Sequence, residues 1–337
     1  MAVTLGARAF TKIVAKGAAF GSTASFAGTT GEILMQDAIG AVDAGVTVDT
    51  NADRSDGIRA ANLAGNATVT AKAPVLTLGE APVSMRNLPI YFNALKAITP
   101  SGTGPYTYAY SPSMTDVDTL TPQSFLLQDG VGKWIIDGCT PGELTLSAAA
   151  DGMLQLGSTW NGRQLATTTD ANTATVQAGQ YFLPGRLFAM KTHTAFLNAA
   201  GTGGTSYGGY LTDWSLTLTP GAAPIMAMSG SLNYGGVAYQ AGYAGTLSLT
   251  LASDSSQTSS FPFTDIGTQK FVWLSATDAN GYGVTISVSA ILTNVSVIGS
   301  EGDGGVVLNT AEFELAYDST SAKVAEVTIL SPLSACP

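Results

Sequence analysis

Charged side chains are scarce in this chain. Asp, Glu, Lys and Arg make up 11% of its 337 residues, which is below half the usual share of a soluble domain. The 14 Lys and Arg residues form no cluster, and the 24 acidic residues give a formal net charge of −10. This balance argues against binding nucleic acid by neutralising its phosphates. It still allows a surface past which DNA slides without sticking, because like charges repel.

The scarcity of charge leaves two interpretations of the surface. One is a secreted β protein with a Ser/Thr-rich surface. The other, which we favour, is a subunit largely covered by copies of itself, since a free monomer with so few charges would tend to associate. A high Thr and Val content without Glu/Lys pairs favours strands over surface helices.

Cysteine, histidine and long apolar runs are also scarce. Cys139 and Cys336 are too few and too far apart for a disulfide framework, so we expect both to be unpaired. His193 is the only histidine, and no thiolates or carboxylates cluster beside it as a zinc site requires. No run has the length of a membrane-spanning helix, and the basic N-terminus is not followed by the apolar core of a secretory signal.

One strand pattern occurs twice along the chain. Residues 143–162 align without a gap with residues 215–234, and residues 246–251 are a weaker third copy. In each copy apolar and polar residues alternate, a turn follows, and a second apolar strand returns. We expect the first copy to close one β unit and the second to open another, so the copies need not be equivalent strands. Identical positions include Leu144, Thr145, Leu146 and Asn161, matching Leu216, Thr217, Leu218 and Asn233.

Changes in pattern divide the chain into three parts. Residues 1–30 are small and weakly patterned and predict an extended N-terminal arm. Residues 31–184 and 185–337 predict two β domains of ordinary size, although one large β domain also fits the length. Strands are predicted at residues 32–35, 106–110, 124–127, 134–136, 187–192, 214–218, 225–228, 246–251, 284–290, 295–298, 306–308, 313–317 and 324–330.

Two helices are predicted, one in each half. The first begins with Asn87 as its cap and Pro89 in its first turn, and Pro100 ends it. Its apolar residues recur at three- and four-residue spacing. A second, short helix is expected around residues 261–273. The apolar stripe of the first helix consists of Leu88, Tyr91, Phe92, Leu95 and Ile98.

Residues 46–75 predict a long, mostly exposed hairpin around a polar centre. Residues 49–57 contain enough oxygen ligands to suggest a calcium loop, but Arg54 and Ala60 stand where an EF-hand needs Gly and Glu. Asp, Asn, Ser and Gly are also the ordinary residues of turns. We therefore expect a solvated hairpin tip and no metal.

A serine hydrolase motif is the nearest approach to a catalytic signature. Residues 204–208 match the G-x-S-x-G pattern around Ser206. No helix pattern follows it, and His193 precedes the serine instead of following it, so we expect a flexible loop. A pair of carboxylates for glycoside hydrolysis leaves no local signature, but the sequence gives no positive sign of an enzyme.

Three further segments carry a family resemblance. They are Asp53-Arg-Ser-Asp-Gly-Ile-Arg59, then Gly104-Pro-Tyr-Thr-Tyr-Ala-Tyr-Ser-Pro112 leading into Ser124-Phe-Leu-Leu-Gln-Asp-Gly130, and Trp134-Ile-Ile-Asp-Gly-Cys-Thr-Pro-Gly-Glu-Leu-Thr-Leu-Ser147. Together with the strand pattern and the first helix, they resemble the tail tube proteins (major tail proteins) of long-tailed bacteriophages. The resemblance extends from about residue 30 to the last residue.

The resemblance implies a mainly β fold with two tandem tail-tube-like β-sandwich or barrel domains, each with a short flanking α-helix. It implies that sheets join between subunits into rings, that rings stack, and that hairpins and terminal arms reach the adjacent ring. Genomic DNA would pass through a channel with acidic or neutral walls, without specific binding. The hairpin tip would contact the next ring through Asn51, Asp53, Arg54, Asp56, Gly57 and Arg59.

The same resemblance sets expectations for assembly and partners. Many family members have one tube domain and form hexamers, so two domains per chain imply a trimer with pseudo-sixfold symmetry, with a hexamer as the alternative. Other tail proteins (tape measure, tail terminator, tail tip) are the expected partners in the virion tail, after synthesis in the host cytoplasm. No cofactor is expected. The alternatives are another β-rich virion component, such as a capsid decoration or tail-tip protein, and a surface-exposed binding module.

Overall fold

Antiparallel strands form most of the chain, as the alternation of apolar and small polar residues predicts. The computed structural model describes residues 10–15, 26, 32–34, 39–50, 67–116, 118–128, 132–169, 178–196, 201–206, 211–225, 231–233, 235–239, 242–252, 261–296, 300–301 and 307–336.

The described residues of the first half form eleven strands and one α-helix. They are β1 (Phe10–Ala15), β2 (Glu32–Leu34), β3 (Ile39–Asp43), β4 (Val46–Thr50), β5 (Ala67–Lys72), β6 (Val75–Pro82), α1 (Leu88–Leu95), β7 (Tyr106–Tyr110), β8 (Gln123–Gln128), β9 (Lys133–Ala149), β10 (Gln155–Asn161) and β11 (Gln164–Thr167).

The second half contains the remaining described strands and two single 3-10 turns, at Gly185–Leu187 and Phe263–Asp265. The strands are β12 (Ala189–His193), β13 (Thr205–Ser206), β14 (Leu211–Thr219), β15 (Ala222–Ile225), β16 (Gly236–Tyr239), β17 (Ala244–Ala252), β18 (Gln269–Thr277), β19 (Gly283–Val295), β20 (Ser300–Glu301), β21 (Val307–Leu315) and β22 (Ala325–Ser331).

One sheet, here called the front sheet, runs through both halves. Its strand order is β3-β6-β10-β9-β14-β17-β21-β19, and every neighbouring pair is antiparallel. The halves meet inside this sheet, where β9 of the first half pairs with β14 of the second.

Two back sheets lie behind the front sheet. The first has the order β2-β1-β8-β9-β11, and the second has the order β13-β12-β18-β19-β22-β7. The long strands β9 and β19 belong to the front sheet at one end and to a back sheet at the other. This two-layered arrangement is β-sandwich-like.

Large aromatic rings join the layers in the core. Phe125 of β8 contacts Trp160 of β10 edge-on, with ring centroids 4.9 Å apart, and Phe261 contacts Phe313 of β21 in the same way at 5.3 Å. Trp160 and Phe313 are buried. The larger apolar cluster contains buried residues of both halves.

The helix α1 is confirmed, but it is a core helix and not a flanking one. All eight of its residues are buried, and it packs against β7, β9 and β22. Pro89 lies in its first turn as predicted. The Asn87 side chain does not cap the helix; it accepts a hydrogen bond from Ser84 Oγ at 2.8 Å. The helix ends at Leu95, before Pro100.

The second predicted helix, at residues 261–273, is wrong. Phe263–Asp265 forms one 3-10 turn, and Gly267 with φ +87° then turns the chain into β18. The run that follows contains Phe271, Val272 and Trp273, whose branched and aromatic side chains favour strands. Its backbone pairs with β12 on one side and β19 on the other, which decides the structure.

The strand pairing of the first half recurs in the second. In each half a long strand, β9 or β19, pairs in the front sheet with a strand that follows it. In each half a two-stranded hairpin also lies in the connection between the first two front-sheet strands of that half. Corresponding strands are β1 and β12, β2 and β13, β3 and β14, β4–β5 and β15–β16, β6 and β17, β8 and β18, β9 and β19, β10 and β21, and β11 and β22.

A β-bulge at the same place supports this correspondence. In the β10–β9 pair, Trp160 lies opposite Pro141 and Thr159 opposite Glu143, so Gly142 is the extra residue. In the β21–β19 pair, Phe313 lies opposite Leu292 and Glu312 opposite Asn294, so Thr293 is the extra residue. Each bulge thus follows a pair that contains a buried aromatic ring.

The repeated sequence pattern marks adjacent strands, and the copies are not equivalent. Leu144, Thr145 and Leu146 of β9 pair with Leu218, Thr217 and Leu216 of β14, and β17, the third copy, pairs with β14 on its other side. The first copy returns as a hairpin through β10. The second does not, because β15 pairs with β16 instead of β14.

Part of the segment expected to be an arm is a strand. β1 pairs with β8 along its whole length and with β2 on its other side. Phe26 is fully buried and packs with Leu126 and Ile135.

Candidate functional site: the outer face of the front sheet

The outward side chains of six neighbouring front-sheet strands form one polar surface, here called the hydroxyl face. Leucines on these strands point into the core, for example Leu146, Leu216 and Leu247, which are buried. The alternate residues face outward, because successive side chains of a strand lie on opposite sides. The members of the hydroxyl face are Thr77, Glu80, Glu143, Thr145, Ser147, Gln155, Thr159, Asp213, Ser215, Thr217, Thr246, Ser248, Thr250, Thr310, Glu312 and Glu314.

Register places the hydroxyl groups in rows across the strands. Thr145, Thr217 and Thr246 lie opposite one another on β9, β14 and β17. The Oγ1 atoms of Thr145 and Thr217 are 3.3 Å apart, within hydrogen-bond distance. The next row is formed by serines, Ser147, Ser215 and Ser248. The face is therefore lined by short side chains held in place by the sheet.

All charge on the hydroxyl face is negative. Its charged members are carboxylates, and the sequences of β3, β6, β10, β14, β17, β19 and β21 contain no Lys or Arg. The same holds for β9 beyond its first residue, Lys133, which lies in the back sheet. Lysines of the other strands are in the back sheets or a hairpin: Lys12, Lys72, Lys191 and Lys270.

Glu80 is fixed across the face. Its carboxylate accepts a hydrogen bond from Ser147 Oγ at 3.2 Å, two strands away. Between them lies Gly157 of β10, where a Cβ would come within 2.9 Å of Glu80 Cγ. A side chain at position 157 would therefore force the Glu80 side chain to move.

Burial and neighbouring carboxylates both affect the pKa of Asp213. Partial burial raises the pKa of Asp213, and the negative charges of Glu80 and Asp151 raise it further, against a lowering by the backbone N–H of Trp214. Burial and nearby like charges both disfavour an ionised carboxylate. Glu80 and Asp151 thus add to the effect of burial on Asp213.

Two hairpins lie side by side at the edge of the fold. The stem of β4–β5 is antiparallel and exposes Val46 and Val48, which confirms an exposed hairpin at its base. It meets the loop of the β15–β16 hairpin, where Lys72 N donates to Leu232 O at 2.8 Å. The predicted inter-ring residues lie outside the described residues: Asn51, Asp53, Arg54, Asp56, Gly57 and Arg59.

The serine motif does not form a catalytic pair in the structure. Ser206 is exposed in the two-residue strand β13 and lies opposite Lys191 of β12. His193 Nδ1 accepts a hydrogen bond from Ala195 N at 2.8 Å. Ser206 is the last described residue of this segment and ends β13.

Both cysteines are free, as expected. Burial raises the pKa of the Cys139 thiol well above its ordinary value, and the charge of Asp137 adds to this. Burial likewise raises the pKa of Cys336, to about 12. Thiols with raised pKa values are poor nucleophiles.

Within the described part of the chain, no group of three or more His, Cys, Asp or Glu residues is placed to hold a metal ion. Over the same residues, no helix has both the length and the apolar character needed to cross a membrane. No model of a known protein family matches the chain, and no curated protein matches its sequence.

Proposed function

We propose that the protein is the structural subunit of a tube like the tail tube of long-tailed bacteriophages. Copies join into rings, rings stack, and DNA passes through the central channel. The observation that carries the proposal is the hydroxyl face, a broad surface of short hydroxyl side chains and carboxylates whose strands have no Lys or Arg within the front sheet.

This surface suits a wall along which DNA moves. Proteins hold DNA mainly by placing Lys and Arg against its phosphates. A wall of carboxylates repels phosphates, and short hydroxyl side chains leave the surface smooth. DNA would therefore pass without specific binding, and the channel would be lined by the hydroxyl face.

The open edges of the front sheet support self-assembly. Among the described residues β3 pairs only with β6, which leaves its other edge open there. An exposed edge is a template for pairing with another chain. Joining edges between copies would satisfy these groups and extend the front sheet into a ring.

The repeated pairing supports two tandem tube-like domains per chain. A ring of three chains would then present six similar units with pseudo-sixfold symmetry, and we favour this trimer over a hexamer. The paired hairpins extend from the sheet and are suited to contact the next ring. Tape measure, tail terminator and tail-tip proteins would be the further partners, and the virion tail the location.

Electron microscopy of the purified protein, together with light scattering, tests the proposal. We expect rings or stacked tubes with a channel wide enough for duplex DNA, and no retention of DNA at physiological salt. A discrete monomer at high concentration would contradict it, and so would salt-dependent DNA binding.

A further inference from the structure

The structure assigns the contact between copies to one pair of edges and one register. We propose that residues 293–296, the last three residues of β19 and the one after it, pair antiparallel with β3 of a second copy as β9 pairs with β14, and that Phe263, Ile266 and Ile291 become covered there. This inference rests on the proposed assembly and specifies its surface.

The junction between the halves provides the template. Within β9, Thr145 pairs with β10 on one side and with β14 on the other. Earlier in the strand, Ile136 pairs with β11 and β8. β9 therefore has β10 and β11 on one side, and β8 followed by β14 on the other.

The corresponding strand, β19, lacks the partner that β14 provides. Val288 pairs with β22 and β18, and Ala290 pairs with β21 and β18. The β18 pairing ends at Ile291, and the loop before β18 bonds Leu292. From Thr293 to Ser296, no described strand pairs with β19 on this side.

β3 has the matching free edge. It corresponds to β14, and its pairing with β6 corresponds to the pairing of β14 with β17. The side by which β14 joins β9 has no partner on β3 among the described residues. Val42, at this edge, is 39% exposed, whereas Leu216 at the corresponding position of β14 is fully buried.

The buried aromatic rings fix the register. Trp160 and Phe313 occupy corresponding positions, and the strand register can be followed outward from them. Across β6 and β17 this register makes Asp43 correspond to Thr217. Along β9 and β19 it makes Ser296 correspond to Thr145. Thr145 pairs with Thr217. Ser296 is therefore expected opposite Asp43 of the second copy, and Val295 opposite Ala44, which brings no two acids face to face.

An exposed apolar patch adjoins the same edge. Phe263 is 61% exposed, Ile266 46% and Ile291 38%, and Gly267 N donates to Leu292 O at 2.8 Å, which holds the turn beside β19. In the first half the corresponding connection contains α1, which is buried and contacts β22 of the second half. Such a patch fits a surface that the next copy covers.

Cysteine cross-linking tests the register. Asp43→Cys and Ser296→Cys are made in separate chains, each with Cys336→Ser, and the two are mixed and oxidised mildly. Directly opposed residues bring their Cβ atoms close enough for a disulfide. We expect a cross-linked dimer in the mixture, and none from either variant alone.

Asn294→Cys is the matched control, because it lies two residues along the same strand. Its mixture with Asp43→Cys should give about tenfold less dimer, since diagonal neighbours are too far apart for a disulfide. Rings that give no dimer with Ser296→Cys, or as much with Asn294→Cys, would overturn the inference and leave the tube proposal standing. A specific dimer from protein that never forms rings would support the edge contact and contradict the tube.

Phe263→Asp tests the apolar patch. We expect self-association to weaken at least about tenfold, as for a central interface residue, while the monomer keeps its unfolding midpoint. Leu187→Asp, at another exposed apolar position, is the control and should associate normally. Equal association of both variants and the wild type would show that the patch stays uncovered.

Discussion

Single residues decide how closely the front-sheet strands approach. A Cβ at Gly245 of β17 would lie 2.4 Å from the carbonyl oxygen of Thr217 and 2.4 Å from Leu315 Cδ1. At Gly242, three residues earlier, a Cβ would meet nothing within 4 Å. Close packing therefore requires glycine at position 245, whereas position 242 has room for a larger residue.

Gly245→Ala should therefore lower the free energy of unfolding by about 1–3 kcal/mol, the usual cost of overpacking. Gly242→Ala should change it by less than about 0.5 kcal/mol. Urea unfolding followed by circular dichroism measures both. Equal values for the two variants would contradict the close contact between β17 and β14.

The raised pKa of Asp213 makes a second residue-scale prediction. The folded protein keeps the proton of Asp213 at pH values where the unfolded chain has lost it. This contribution to stability is full below the unfolded pKa, near 3.8, and is lost as the pH rises through the folded pKa. Asp213→Asn should flatten the pH dependence of the unfolding free energy just above pH 3.8.

Asp318→Asn provides a comparison of opposite sign. Hydrogen bonds from Ser321 and Thr320 lower the pKa of Asp318, so its contribution is present above the unfolded pKa and lost as the pH falls. Urea unfolding across a pH series would show the two effects. The same direction of change in both variants would refute the environment described for Asp213.

At the scale of elements, β14 in the front sheet has one buried and one polar face. Leu216→Ala in β14 should lower the free energy of unfolding by about 2–5 kcal/mol, because it opens a cavity in the core. Ser215→Ala, its neighbour on the hydroxyl face, should cost less than about 0.5 kcal/mol. Similar losses from both in denaturant titrations would mean that the two faces are wrongly assigned.

The hairpin of β4 and β5 makes another element-scale prediction. Its stem is exposed on both strands and belongs to a separate two-stranded sheet. Deleting residues 51–57 should leave the unfolding midpoint unchanged but reduce the stacking of rings. Electron microscopy of the deletion protein would show single rings. Tubes of normal length would contradict the role proposed for the tip.

The sequence predicts strands well where apolar and polar residues alternate, as in β7, β14, β17 and β22. It fails at residues 261–273, because apolar spacing cannot reveal that both edges of β18 are paired. It also predicts residues 306–308 and 313–317 as separate strands, whereas β21 is continuous. Asn309 and Ala311 in the centre of β21 are buried, and only tertiary packing determines this.

The hydroxyl face could be predicted from the sequence only in part. Alternating Leu and Thr or Ser indicates a two-faced strand, but strand order decides which polar residues share a surface. The sequence does not reveal which positions of the two halves correspond in the strand pairing. Trp160 corresponds to Phe313, and Gly142 corresponds to Thr293, but the residue types differ in both pairs.

At the scale of the whole molecule, the lysines of the described strands all lie outside the front sheet. The front sheet has carboxylates on its outer face, and the strand lysines belong to the back sheets and one hairpin. A ring closed through the edges of the front sheet would turn this face either inward or outward. The tube proposal requires the inward direction.

A cryo-electron microscopy map of the assembled protein tests this requirement most directly. The proposal predicts that Glu80, Thr145 and Glu312 line the channel, with the back sheets on the outside. Rings in which these residues face outward, or assemblies without a channel, would contradict it.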